Sequence, residues 1–167
     1  AKGVIVVEPA GNGAVDLDAP SWNGWFDREV QDSGAILVGG GASPLSGYEP
    51  GSWYPGGTAY GSRVDLQAWF DSIVSSGGDG LADLFYPGAD ARQAYTTAFG
   101  GSSGASAIVA GIAAQASSIS WELSGGPWDP MELRTALASS GVPQPPGSSP
   151  VGPRPDLQRF LWMWALR

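Results

Sequence analysis

Residues 97–115 read TAFGGSSGASAIVAGIAAQ, a glycine and serine cluster that runs into small apolar residues, with Ser103 just before a helix takes hold. Such a turn is too tight to bury a side chain, so it presents the Ser103 hydroxyl. The first free amides of the helix then point at any oxyanion that forms beside it. The chemistry implied is nucleophilic attack by serine. Taken alone, the same composition more often marks a flexible loop. The chain contains no histidine, so an imidazole that activates Ser103 cannot come from this polypeptide.

Other constellations are weaker. Gly11 and Gly13 follow an apolar run as in a dinucleotide fingerprint, but Asp16 stands where the third glycine belongs and DLDAPSW is not a helix start. Gly39–Gly41 precede Ser43 and Pro44 and not a helix. Paired-carboxylate glycosidase chemistry has many acidic candidates, and the sequence singles out none.

The elements that must position Ser103 are those of an α/β chain. GVIVVE (Gly3–Glu8) is a β-branched run with little alternation, the pattern of a central parallel strand covered on both faces. Such a strand needs neighbours on both sides. A second strand is expected at Gly34–Val38, closed by the triple glycine, and a third near Arg63–Trp69. Ser75–Ala94 reads as a loop or ribbon that returns through Tyr95–Phe99, and a helix is expected over Ala105–Ser117. A second helix is predicted at Pro130–Ser139, with Asp129 as cap, Pro130 at its first position, Glu132 in its first turn and Gly141 beyond its end. Residues 142–155 hold six prolines and read as an irregular surface arm. The tail 156–167, with Phe160, Leu161, Trp162, Met163, Trp164 and Leu166, is too apolar all round for a free helix and is expected to dock on protein. The chain is thus divided into a body, 1–155, and a docking tail, 156–167.

At 167 residues and 43% hydrophobic content the chain can bury a sizeable core. Its net charge of −8 argues against nucleic acid and anionic membrane as partners. Absence of cysteine removes disulfides and thiolate chemistry. No apolar run has the length of a signal or transmembrane segment.

Four segments occur in the order found in subtilisin-like serine peptidases: EPAGNG (Glu8–Gly13), DSGAILVGG (Asp32–Gly40), YGSRVDLQAW (Tyr60–Trp69) and GGSSGASAIVAG (Gly100–Gly111). The last resembles that family's nucleophile motif and places the nucleophile at Ser103. Ser102 stands where threonine is usual, and Ala107 replaces a common proline. The resemblance covers most of the chain and implies the C-terminal portion of a subtilase catalytic domain: a parallel-sheet α/β fold whose last strands and nucleophile helix lie here.

The resemblance further implies roles. Asn12, in Ala10-Gly11-Asn12, would donate its side-chain amide to the oxyanion beside the Ser103 amide, while Glu8, Pro9, Ala10 and Gly11 would form one wall of the substrate pocket. A charged wall favours basic or polar side chains. The family's catalytic aspartate and histidine lie on earlier motifs that do not occur in this sequence, so a separate N-terminal chain would supply them and this chain alone would be inactive. Polypeptide is the implied substrate, and a secreted or extracytoplasmic location is the family's habit. No cofactor is expected. Structural calcium at Asp16 and Asp18 is the lesser reading, because the six to eight oxygen ligands it needs are not visible. The competing functional reading is a catalytically silent module of the same fold, used for binding or inhibition.

Overall fold

The computed structural model describes residues 3–77, 92 and 94–165. Three parallel strands, β1 (Val7–Pro9), β2 (Ile36–Gly41) and β3 (Leu66–Trp69), form a sheet in the order β1-β2-β3. The register pairs Val7 with Ile36 and Val38 with Leu66. A hairpin of β4 (Ile73–Ser76) and β5 (Tyr95–Phe99) leads into helix α1 (Gly101–Ser124). Helix α2 (Pro130–Ser140) and the short α3 (Leu157–Phe160), continued by a wider π-type turn at Leu161–Ala165, complete the chain. The expected ribbon 75–94 falls largely outside the described residues, as does Leu166. Its returning strand is β5.

Both faces of β2 are buried, which explains its unbroken apolar sequence. Ile36 and Val38 point to one side, into a core made with Leu66, Ala68, Ala105, Val109, Ala113, Leu133, Leu137 and Phe160. Leu37 points to the other and meets Leu17, Ala59, Val64 and Val151. Helix α1 lies close on the first face because its inward stripe, Ser102, Ala105, Val109, Ala113, Ala116 and Ser120, is made of small or slender residues.

Several expected boundaries shift. The triple glycine does not close β2 but forms its last half. A Cβ at Gly40 would overlap the Phe70 side chain and one at Gly41 the Gln67 side chain, so these residues leave room for cross-strand neighbours and do not make a turn. Strand β1 begins at Val7, and in this chain it is an edge strand and not a central one: Val4 and Val6 are 64% and 44% exposed. Residues 142–155 are irregular but only partly superficial. Val151 is fully buried, Val142 and Arg154 exchange backbone hydrogen bonds, and the Gln67 amide donates to the carbonyls of Gly51 and Gly152 at 2.6 and 2.8 Å. The tail's Phe160 is fully buried against Trp128, whereas Trp162 is 70% exposed. Helix α2 starts as its sequence indicates, with the Asp129 carboxylate accepting the Met131 and Glu132 amides. No helix among the described residues is long and apolar enough to cross a membrane.

A charged cluster ties the amino-terminal ends of β2 and β3 to α2. Asp65 accepts the Leu37 amide at 2.7 Å and pairs with Arg63 and Arg28, while Arg134 grips Asp32 with two bonds of 2.8 and 2.6 Å. The Arg134 hydrogen bond, helped by the Gly34 amide and the Arg63 charge, holds the Asp32 carboxyl far below the ordinary carboxylate range against the opposing effect of burial. A folded-state pKa below the unfolded one stabilises the fold above about pH 4, and that contribution fades as pH falls further. Asp32→Asn should therefore lower the unfolding free energy of the intact protein by about 2 kcal/mol near neutrality. Urea midpoints measured down the acid range should fall less steeply for the variant; an identical acid slope would show that this pair does not carry the effect.

Candidate active site

The carboxyl ends of the parallel strands and the amino end of α1 meet at one place, the usual location of a site in an open α/β sheet. Strand β1 ends at Pro9, the Ala10 amide still donates to Val38 at 2.8 Å, and the chain then turns through Gly11 and Gly13, whose φ angles of +96° and +107° suit glycine. Residues 57–60 hold this turn from outside. Gly13 donates to the Gly57 carbonyl at 2.6 Å, and Ala59 donates to the Gly11 carbonyl at 2.9 Å. Asn12 is thereby projected at the start of α1.

The Asn12 side chain is oriented by Ser102. Its Oδ1 accepts the Ser102 backbone amide at 3.0 Å and the Ser102 hydroxyl at 2.9 Å. A backbone N–H can only donate, so the atom facing it must be the carboxamide oxygen, and Nδ2 lies on the other branch. Among the described residues Nδ2 has no acceptor. The residue before Ser102 must be glycine: Gly101 has φ +78°, and a Cβ there would stand 3.3 Å from Nδ2.

The helix begins earlier than its sequence indicates. Gly101 is its first residue, so Ser103 sits inside the first turn and not ahead of it. The order of amides explains what this achieves. Gly101 donates to Phe70 at 2.6 Å, Ser102 to Asn12, and Gly104 to Gly100 at 3.3 Å. The Ser103 amide, among the described residues, has no acceptor. Its side chain is exposed and likewise unengaged, while its carbonyl accepts the Ser106 hydroxyl at 2.8 Å. An exposed hydroxyl, a free amide on the same residue and a free carboxamide held by the preceding residue thus cluster at the positive end of a 24-residue helix. These groups can attack a carbonyl and accept the charge that develops on its oxygen. They cannot remove the hydroxyl proton.

Residues 8–11 run up to this cluster along the end of β1 and just past it. Glu8 and Pro9 are exposed, Ala10 packs on the second core beside Leu37, and the Gly11 carbonyl is occupied by Ala59 and, at 3.4 Å, by the Thr58 hydroxyl. Asp16 and Asp18 have local work: Asp16 accepts the Asp18 amide, and the Asp18 carboxylate accepts the Ser62 amide and hydroxyl. The sequence reading missed Ser102 as the group that orients Asn12. The presence of a second hydroxyl directly before Ser103 was the available signal. It also missed Phe70, whose carbonyl anchors Gly101 and whose ring stacks on Tyr54 at 4.7 Å. Nothing in local sequence marks that contact.

Residues 1–149 match the family model described as the Subtilase family. The structure of the patellamide maturation protease PatA is similar, with a TM-score of 0.61 at 18% identity over 96% of this chain and 51% of that one. A lanthipeptide protease gives 0.65 at 16% identity over 96% and 52%. This chain therefore spans about half the length of those structures. No curated protein sequence matches it significantly.

The turn that carries these groups tolerates little. A Cβ at Gly100 would overlap the Phe70 carbonyl oxygen, the acceptor of the Gly101 amide. Gly100→Ala should cost about 2 kcal/mol of stability, whereas Ser102→Ala, which keeps the backbone bond to Asn12, should cost about 1 kcal/mol. Denaturant titration of both variants in the intact protein checks this order, and a reversed order would show that the side-chain bond dominates.

Proposed function

The chain belongs to the subtilase family, and on that premise we propose that it is the nucleophile-bearing portion of a serine endopeptidase. The observation that carries the reading is the pairing of two uncommitted donors, Asn12 Nδ2 and the Ser103 amide, next to an exposed Ser103 hydroxyl. The Ser103 oxygen attacks the carbonyl carbon of a peptide bond, and the carbonyl oxygen becomes an oxyanion. The two donors stabilise that charge, which exists only in the transition state and the tetrahedral intermediate. Collapse expels the amine and leaves an acyl-serine for water to cleave. Glu8 to Gly11 supply one side of the pocket for the residue preceding the cut.

The proton must pass to a base outside this chain. We assign that base, and the carboxylate that orients it, to a separate N-terminal chain of the same domain. Its seat on this chain would be the outer edge of β1 and the adjoining groove lined by Ile5, Val7, Ala110, Ala113, Ala114 and Trp121. Support comes from exposure: Val4, Val6, Trp121 and Leu123 are apolar and 44–64% exposed. An open strand edge beside such a surface favours a partner that continues the sheet. Polypeptide is the substrate, and no cofactor enters the scheme.

A fluorophosphonate probe applied to the assembled protease should label Ser103, and Ser103→Ala should abolish labelling. Asn12→Ala should lower turnover by about 100- to 1000-fold, the magnitude measured in subtilisin for the loss of one oxyanion donor. Assembled material in which Ser103 resists the probe would point instead to a silent module of the same fold.

A further inference from the structure

The first turns of α2 and the end of the tail enclose a notch of about 420 Å³ lined by Trp128, Met131, Glu132, Thr135 and Trp164. The indoles of Trp128 and Trp164 stand 6.1 Å apart at 72°, forming two walls of a corner. Met131, 40% exposed, adds a polarisable thioether, and the exposed Glu132 brings a carboxylate to the lining. Among the described residues that carboxylate has no hydrogen-bond or ion-pair partner. The nearest basic residue in α2, Arg134, is committed to Asp32.

These walls select for charge and shape together. A neutral apolar ligand would satisfy the indoles but desolvate Glu132 without compensation. An anion would meet the Glu132 carboxylate and the negative faces of both rings. What satisfies every wall is a positive charge carried on carbon: ring faces attract it electrostatically, and a carboxylate completes the enclosure. The half positive charge at the amino end of α2 opposes such a ligand, but Asp129 already caps that end and Glu132 adds a full negative charge. The protein's net charge of −8 also draws cationic polypeptides toward it.

We propose that this notch binds an organic ammonium group presented by a polypeptide, a lysine side chain or its N-methylated form. The site is separate from Ser103 and needs none of the hydrolytic machinery, so it stands or falls independently of the peptidase reading.

The test follows the indole N–H signals of the intact protein by NMR during titration with N-acetyl-lysine methylamide, its Nε-trimethyl form and the neutral isostere N-acetyl-norleucine methylamide. Both cationic probes should move the same two indole signals, those of Trp128 and Trp164, and the norleucine probe should bind at least about fivefold more weakly. Trp164→Ala should weaken the cationic probes by a similar factor. Because that change also trims the packing of the tail, Glu132→Gln provides a second variant that alters one exposed carboxylate and leaves the Asp129 cap in place; it too should weaken them. Equal affinity for norleucine, unchanged lysine affinity in Glu132→Gln, or unmoved indole signals would each overturn the proposal. Phosphatidylcholine vesicles that shift these signals while the peptides do not would assign the notch to a lipid headgroup and overturn the polypeptide assignment.

Discussion

The first turn of α1 is fastened to the carboxyl ends of the strands through its own amides, and the rest of the site depends on that attachment. Ordinarily the leading amides of a helix go to water or to a cap. Here Gly101 donates to the Phe70 carbonyl just past β3, and Ser102 donates to the Asn12 carboxamide just past β1. Two strand ends and one helix start become a rigid unit in which the third amide, that of Ser103, is left over. The glycines follow from this closeness. Gly100 and Gly101 pass where a side chain would strike Phe70 or Asn12, and Gly40 and Gly57 leave room for the Phe70 ring.

The two ends of the sheet do different work. At the amino ends, Asp32 and Asp65 are saturated by arginines and backbone amides, which fixes α2 and the loop before β2 against each other. Every charged group there is satisfied, so the cluster serves as a clamp. At the carboxyl ends the polar groups are held on one side and free on the other. The Asn12 oxygen is bonded while its Nδ2 is not, and Ser103 offers a hydroxyl and an amide with no partner among the described residues. Rigid support with unspent donors is the condition for electrostatic stabilisation of a transient charge.

The proposed mechanism asks this site only to attack and to hold charge; with no histidine in the sequence, the imidazole is assigned elsewhere. Exposed apolar residues occur in several places, among them Trp25, Leu45 and Trp162, and one group, Val4, Val6, Trp121 and Leu123, lies at the edge of β1 and on the flank of α1. The partner surface proposed above is drawn from that edge and flank.

The family and the coarse α/β architecture were legible in the residues. GGSSGAS followed by small apolar residues marked a helix start, and the apolar run at Gly34–Val38 marked a buried parallel strand, because both signals are local in the chain; the similar run Gly3–Glu8 became an exposed edge strand. Helix α2 was readable to within a residue, since Asp129, Pro130 and Gly141 act on their immediate neighbours. Contacts between residues distant in the chain were fixed by packing and had no local signal. That Ser102 orients Asn12 across 90 positions, that Phe70 anchors Gly101, that the triple glycine belongs inside β2, and that Val151 in a proline-rich arm fills the core all depend on what lies opposite. A glycine forced by a turn and one forced by a facing side chain look alike in sequence; only the packed fold distinguishes them.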